Sequence, residues 1–293
     1  MAEGNLKLAV LGLGTMGQAM AGSALRNGIP TVVWNRDPDV ARRWAEQAEH
    51  GAEVAESVSG AVKGADMVIT MVTDTKAVTS IAVDLGMLES LPAGAVWAQM
   101  STIGVKGTAT INSIVERQRP DVLFLDAPVS GSKVPAEQGK LTIFASGPEQ
   151  ARPTAERVFA AIGQRTIWLG DVGAGSRMKL INNTLLAFTA EGVANSLALA
   201  RQLGLDTPSV VDAFAGSPLI SQWTAGKLRR IQDGNYSPEF PLALALKDVH
   251  LALEEAGPEH STVLASLAHE WEGVVKQGHG NEDVTVVTRA LED

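Results

Sequence analysis

The sequence predicts an α/β protein: an N-terminal doubly wound, mostly parallel sheet with helices on both faces, and an all-α C-terminal domain, joined by a long interdomain helix. Three observations carry this expectation. Short apolar runs alternate with helical segments from Leu6 to Leu169, the pattern of a parallel sheet layered with helices. From Ala174 onward the β signal stops. Between Gly173 and Leu203 there is no proline, and Met178, Ile181, Leu185, Leu186, Val193 and Leu197 recur at helical spacing. A helix of that length reaches about 45 Å, long enough to be the axis of a second domain rather than one layer of the first. The expected domains are residues 1–172 and 173–293.

Taken in order, Leu6 to Leu11 reads as a buried first strand, followed by a glycine turn and a helix. Thr31 to Trp34 is a second short apolar run, Ala41 to Glu49 is helical, and Gly51 to Val54 is a short strand or turn. Met67 to Val72 is the next strand, with a helix from about Lys76. Ala95 to Gln99, Val122 to Asp126, Leu141 to Ser146 and Arg165 to Leu169 complete the β runs, with helices at Gly107 to Glu116 and Gln150 to Ala161. The rest is helical and broken where glycine and proline cluster: Gly216-Ser217-Pro218, Gly234 to Pro238, and Gly257-Pro258.

Composition removes several classes. With 293 residues, 45% hydrophobic and 19% charged, the chain is ordinary globular protein of one or two domains. A net charge of −9 argues against nucleic acid or an anionic membrane surface as the main partner. There is no cysteine, hence no disulfide and no thiol chemistry. The N-terminus runs into a strand pattern without the features of a signal peptide. No apolar run is long enough to span a membrane, so the expected location is cytoplasmic. The five histidines show no ligand spacing, and no metal is expected.

Gly12-Leu13-Gly14-Thr15-Met16-Gly17 follows a predicted strand and opens a predicted helix. Gly12 allows the tight turn, Gly14 lets backbone approach a pyrophosphate, and Gly17 lets helix pack on strand. The helix N-terminus then holds the anion through N–H groups and the positive end of its dipole. The second strand ends in Trp34-Asn35-Arg36-Asp37. An acidic residue there favours NAD and an arginine favours NADP, so Asn35 and Arg36 point to NADP(H). Asp37, one position on, is the competing acidic partner.

Ligands in open α/β sheets lie outside the carboxyl ends of the strands. Met71-Val72-Thr73, Ser101-Thr102 and Asp126 to Ser132 leave three such ends. Ser130-Gly131-Ser132 offers hydroxyls and unencumbered N–H groups suited to a small carboxylate. On the long helix, Lys179 and Asn183 stand four apart and share a face, with Asn182 beside them. Two adjacent asparagines lower helix propensity. They mark either a solvated polar stripe or a proton donor with its orienting amide, because carbonyl reduction needs a proton delivered to the developing alkoxide.

These stretches resemble the β-hydroxyacid dehydrogenase family, over essentially the whole chain. Gly12 to Gly17 is similar to the family's N-terminal fingerprint, and Asp126 to Gly139 to its substrate signature. Gly175 to Asn183 is similar to its catalytic helix, and Lys247-Asp248 to its C-terminal motif. The resemblance implies an N-terminal Rossmann domain and a helical domain with the active site between them. It implies Lys179 as acid/base, and Ser130, Gly131, Thr102 and Asn183 as substrate contacts. Phe240 and Asp248 would line the pocket from the helical domain. Met71, Val72 and Thr73 would border the cofactor ribose, with Lys247 approaching the cofactor. The Asn35-Arg36 pair and the Ser-Gly-Ser-Lys form look most like the glyoxylate/succinic semialdehyde reductase branch, which uses NADPH. Many relatives have glycine in place of Ser132 and aspartate in place of Gln99, and Gly216 to Trp223 matches no form of the pattern.

The expected activity is therefore NADPH-dependent interconversion of a small aldehyde- or keto-acid and its hydroxy acid. The alternatives are an imine reductase, which usually lacks the lysine, and a non-catalytic NADP-binding module. Leu180, Leu185, Phe188 and Leu199 face more than one way around the long helix, suggesting a partner subunit, and the resemblance implies a homodimer or homotetramer.

Overall fold

The computed structural model describes residues 6–48, 50–257 and 261–291. Glu49, Pro258 and His260, named above at a helix end, at a break and among the histidines, lie outside them. The chain divides into two compact units, Met1–Lys179 and Leu180–Asp293.

The first unit begins with β1 (Leu8–Leu11), α1 (Thr15–Arg26), β2 (Thr31–Trp34), α2 (Pro38–Gln47), β3 (Glu53–Val54), α3 (Val58–Val62) and β4 (Met67–Thr70). It continues through α4 (Thr75–Thr79), α5 (Met87–Ser90), β5 (Val96–Gln99), α6 (Gly104–Gln118) and β6 (Leu123–Asp126). β7 (Val129–Ser130), α7 (Lys133–Glu137), β8 (Leu141–Ala145), α8 (Arg152–Ile162) and β9 (Gly163–Trp168) precede the first residues of α9 (Ala174–Gln202).

Six parallel strands form one sheet in the order β3-β2-β1-β4-β5-β6, the order of a doubly wound dinucleotide-binding sheet. Central β1 pairs Leu8 to Leu11 with Thr31 to Trp34 on one side and with Met67 to Thr70 on the other. The strand repeat of two splits its side chains between two cores. Leu8, Val10, Met67, Ile69, Val96 and Leu125 pack on one face; Ala9, Leu11, Val68, Trp97 and Phe124 pack on the other. Burial on both faces is why these strands read as continuous apolar runs rather than alternating ones. Trp97 is held on its face by an edge contact with Phe124 and donates its indole N–H to Thr70 Oγ1 at 3.0 Å.

β8 and β9, also expected as short β runs, stand outside this sheet. They form a second, three-stranded sheet in the order β7-β8-β9, with β7 antiparallel and β9 parallel to β8. Two properties set them apart. β7 has two residues, too few for any periodic signal, and β9 exposes Gln164 and Arg165, so it lacks the two-faced burial of a central parallel strand. The helix expected from Lys76 begins at Thr75 and widens into a π-helical stretch at Ser80–Asp84.

α9 runs unbroken for 29 residues, one short of the expected span at each end, and the division between the units falls within it. The second unit adds α10 (Thr207–Phe214), α11 (Gln222–Gln232), α12 (Leu242–Glu255) and α13 (Thr262–Lys276). Its core gathers Val193, Leu197 and Ala200 of α9 with Val210, Leu228 and Ile231. The segment Val284–Leu291 is 3-10 rather than α-helical. Of the residues expected to need cover on α9, Leu180 is buried, whereas Leu185, Phe188 and Leu199 are exposed together with Ile181. No helix of the described residues is long and apolar enough to cross a membrane.

Glycine turns out to be required at Gly17 and dispensable at Gly226. A Cβ on Gly17 would lie 1.9 Å from the Gly12 carbonyl oxygen, while one on Gly226 meets nothing within 4 Å. Gly17→Ala is therefore expected to destabilise by about 1–3 kcal/mol through forced separation of helix and turn. Gly226→Ala, inside α11, should stabilise by up to about 1 kcal/mol. Urea midpoints of the two variants check the opposite signs.

Candidate active site

The turn after β1 is built from backbone contacts. Gly12, at φ 101°, donates its N–H to the Trp34 carbonyl at 2.9 Å. A Cβ there would fall 2.4 Å from the Met71 carbonyl oxygen, so this position takes glycine alone. Leu13 N–H donates to Asn35 Oδ1 at 3.0 Å, and Asn35 Nδ2 donates to the Asp37 carbonyl at 3.0 Å. Gly14 is the N-cap of α1, has no side chain to bond the first turn, and leaves open space where a Cβ would stand. Thr15 is exposed and Met16 half-buried at the same helix start. Uncapped N–H groups beside an open backbone face are the chemistry that takes a pyrophosphate, so the residues present fit a dinucleotide.

At the end of β2 two of the three candidate residues are engaged in the architecture. Asn35 holds the turn. Asp37 caps α2, its carboxylate accepting from Asp39 N–H at 3.0 Å. Arg36 is exposed and makes no hydrogen bond or ion pair among the described residues.

The loops after β4 and β5 are tied together beneath the sheet edge. Val72 N–H donates to Ser101 Oγ at 2.8 Å, and Ser101 Oγ lies 3.4 Å from the Thr70 carbonyl. Gln99, fully buried, accepts from Ser101 N–H at 2.7 Å and donates to the Ser101 carbonyl at 2.8 Å. An ionised aspartate at this position would have no proton for the second bond. This clasp fixes half-buried Thr102, while Thr73 at the neighbouring loop is exposed and donates to Asp74.

After β6, Val129 and Ser130 pair with Ile143 and Thr142. Gly131 follows at φ 133°, packed so that a Cβ would lie 2.7 Å from Leu141 Cδ2. Ser132 then begins α7 without a side-chain cap bond. Asp126, the last residue of β6, is fully buried and accepts from both the backbone and the hydroxyl of Ser176. Burial pushes its carboxyl above the usual range, against the hydrogen bonds from Ser176 and Ser146.

Lys179 is half-buried on α9, four residues before Asn183. Asn183 is buried; its Nδ2 donates to Asp248 Oδ2 at 2.5 Å and its Oδ1 accepts from Asn182 at 2.9 Å. Lys247 Nζ lies 2.9 Å from Asp248 Oδ1, an ion pair too oblique to be a hydrogen bond. Phe240 is half-buried and its N–H donates to Asp283 Oδ2 at 3.1 Å. Asp283 is itself buried against Lys227, 2.9 Å from each oxygen. Burial works to raise the Asp283 carboxyl, but Lys227 and the N–H groups of Phe240 and Glu239 prevail and hold it low. A cavity of about 330 Å³ in the second unit, lined by Glu191, His269, Glu270 and Trp271 among others, contains none of the candidate residues.

Sequence reasoning placed Asp126 and Ser176 within its motif stretches but missed the contact between them, the part played by Ser146, and the use made of Gln99 and Ser101. The available signal was Gly175-Ser176 at a helix start: a serine at the third helical position beside a glycine marks close packing there.

Two family models cover nearly the whole chain. Residues 7–170 match the NAD binding domain of 6-phosphogluconate dehydrogenase, and residues 173–291 match the NAD-binding model of NADP-dependent 3-hydroxyisobutyrate dehydrogenase. Glyoxylate/succinic semialdehyde reductase 1 of Arabidopsis thaliana is 33% identical over 290 residues, 98% of each chain. The mitochondrial 3-hydroxyisobutyrate dehydrogenase of Homo sapiens is 29% identical, across 97% of this chain and 86% of the relative. A crystal structure of 3-hydroxyisobutyrate dehydrogenase from Salmonella typhimurium superposes with a TM-score of 0.85 at 25% identity, over 97% of this chain and 99% of that one. Sheet order, glycine turn and matches together define an NAD(P)-dependent oxidoreductase with a Rossmann domain and a helical C-terminal domain. The chain belongs to the β-hydroxyacid dehydrogenase family, and its activity is that of a hydroxyacid dehydrogenase.

Proposed function

We propose that this protein uses NADPH to reduce a small aldehyde- or keto-acid to its hydroxy acid, with Lys179 as general acid. The observation that carries the reading is the placement of a half-buried lysine one helical turn before a buried asparagine held by Asp248 and Asn182. The full-length similarity to a glyoxylate/succinic semialdehyde reductase supports the substrate class.

In this reading Gly12 to Gly17 receive the pyrophosphate, and Arg36 meets the 2′-phosphate. Support for the arginine comes from its neighbours: Asp37 is engaged as a helix cap and Asn35 holds the turn, so neither competes for a ribose hydroxyl. When bound, the reduced cofactor supplies the hydride for the carbonyl carbon. Ser130 and Gly131 hold the substrate carboxylate through the hydroxyl and the exposed backbone N–H, and Thr102 faces the same end of the sheet. As negative charge develops on the carbonyl oxygen, the Lys179 ammonium gives it a proton. The Asp248 carboxylate keeps the Asn183 amide in one orientation, and that amide orients the reacting oxygen.

We also propose that a second copy of the chain covers the exposed apolar face of α9. Ile181, Leu185 and Leu199 are 64%, 68% and 55% exposed, and large apolar side chains recurring on one exposed helix face are the kind of surface a partner subunit covers.

Four outcomes check these readings. NADPH oxidation is assayed with glyoxylate, succinic semialdehyde, tartronate semialdehyde and a cyclic imine. One acid is expected to turn over fast, and Lys179→Ala should lower kcat by about 100- to 10,000-fold with NADPH affinity kept. Turnover of the imine alone would replace the substrate class. Arg36→Ala should weaken NADPH by about 10- to 100-fold and leave NADH unchanged; equal losses refute the NADPH assignment. Light scattering should give at least twice the chain mass, and Leu185→Glu should lower it.

A further inference from the structure

The first turn of α9 is fixed by groups that lie outside the proposed reaction. Asp126 Oδ2 accepts from Ser176 N–H at 2.7 Å, and Oδ1 accepts from the Ser176 hydroxyl at 2.7 Å. Ser146 Oγ lies 3.3 Å from the same carboxylate and accepts from Gly175 N–H at 2.9 Å. Thr108 of α6 completes the chain, its hydroxyl 2.8 Å from Ser176 Oγ. Two of the N–H groups that a helix start leaves unbonded are thus capped by side chains from other elements. A negative carboxylate also suits the positive end of the helix.

Backbone contact closes the remaining direction. A Cβ on Gly175 would stand 2.3 Å from the Phe144 carbonyl oxygen and 2.7 Å from that of Asp126. The helix start therefore has no room to shift toward the sheet, and its Gly175 and Ser176 N–H groups are already bonded. Lys179 follows Ser176 by three residues, about 4.5 Å along the axis. From the other side, Asp126 opens the loop that carries Ser130 and Gly131, four and five residues on. One carboxylate joins the segment bearing the proton donor to the segment bearing the substrate anchor.

We propose that Asp126 is a positioning residue for Lys179: its two-point hold on Ser176 sets the first turn of α9 against the loop carrying Ser130 and Gly131. The inference rests on the reading of Lys179 as proton donor. Asp126→Asn keeps the shape but offers one acceptor oxygen to two donors, and Ser176→Ala removes the hydroxyl alone. A displacement on the order of 1 Å at the reacting centre lowers rate by about 100-fold. Folded Asp126→Asn is expected to lose about that factor in kcat while its KM and NADPH affinity hold. Ser176→Ala should move in the same direction, and it decides the matter alone if Asp126→Asn does not fold.

Wild-type kcat in the folded variants overturns the proposal. So does a loss shared equally by kcat, KM and NADPH affinity, which marks general disruption. Lys179→Ala run in parallel separates the two readings: undiminished turnover there sinks the proton donor itself. Its loss beside active Asp126→Asn and Ser176→Ala sinks the positioning role only.

Discussion

All six strands of the main sheet point the same way, and most of the first unit follows from that constraint. Parallel neighbours need crossovers, so helices cover both faces and the strands lose their polar side. The loops after β1, β2, β4, β5 and β6 all emerge at one edge. Chemistry in such a sheet collects at that edge because helix starts and unpaired loop backbone are found there. The glycine turn, Arg36, the Val72–Ser101–Gln99 clasp and the Ser130-Gly131 loop are consequences of strand direction before they are consequences of any ligand.

The two units settle a buried aspartate in opposite ways. Asp283 faces Lys227 at 2.9 Å and is held low, a compensated pair whose members depend on each other. Asp126 has no cation among its named partners and is raised by burial, with hydroxyls and backbone N–H groups opposing. The first arrangement holds Phe240 and Thr285 by hydrogen bonds to a carboxylate whose charge Lys227 balances. The second holds a helix start by hydrogen bonds from hydroxyls and backbone N–H groups.

Much of this was legible before any coordinates. Doubly buried strands announce themselves as unbroken apolar runs, and the glycine turn is a local motif whose meaning depends on six adjacent residues. α9 was legible within one residue at either end, because a long proline-free repeat has no competing reading. What stayed hidden was non-local or short. Asp126 meets Ser146 and Ser176 across 20 and 50 positions, and no spacing rule connects them. β7 is too short to show a period, and its pairing drew β8 and β9 into their own sheet. The sequence places Asn35 at the end of β2 without showing that its amide joins the Leu13 N–H to the Asp37 carbonyl. A sequence shows that an amide is present without showing which donor reaches it first.

The employment of Asn35 and Asp37 also limits how this fold can drift. Recruiting Asp37 as an acceptor for a ribose hydroxyl would uncap α2, at about 1 kcal/mol. Exchanging Asn35 for an acid would remove the amide donor that reaches the Asp37 carbonyl. Of three adjacent positions that could retune nucleotide choice, two are mortgaged to the architecture and only Arg36 is at liberty. In this chain, then, a change at Arg36 is the one of the three that breaks no hydrogen bond among the described residues.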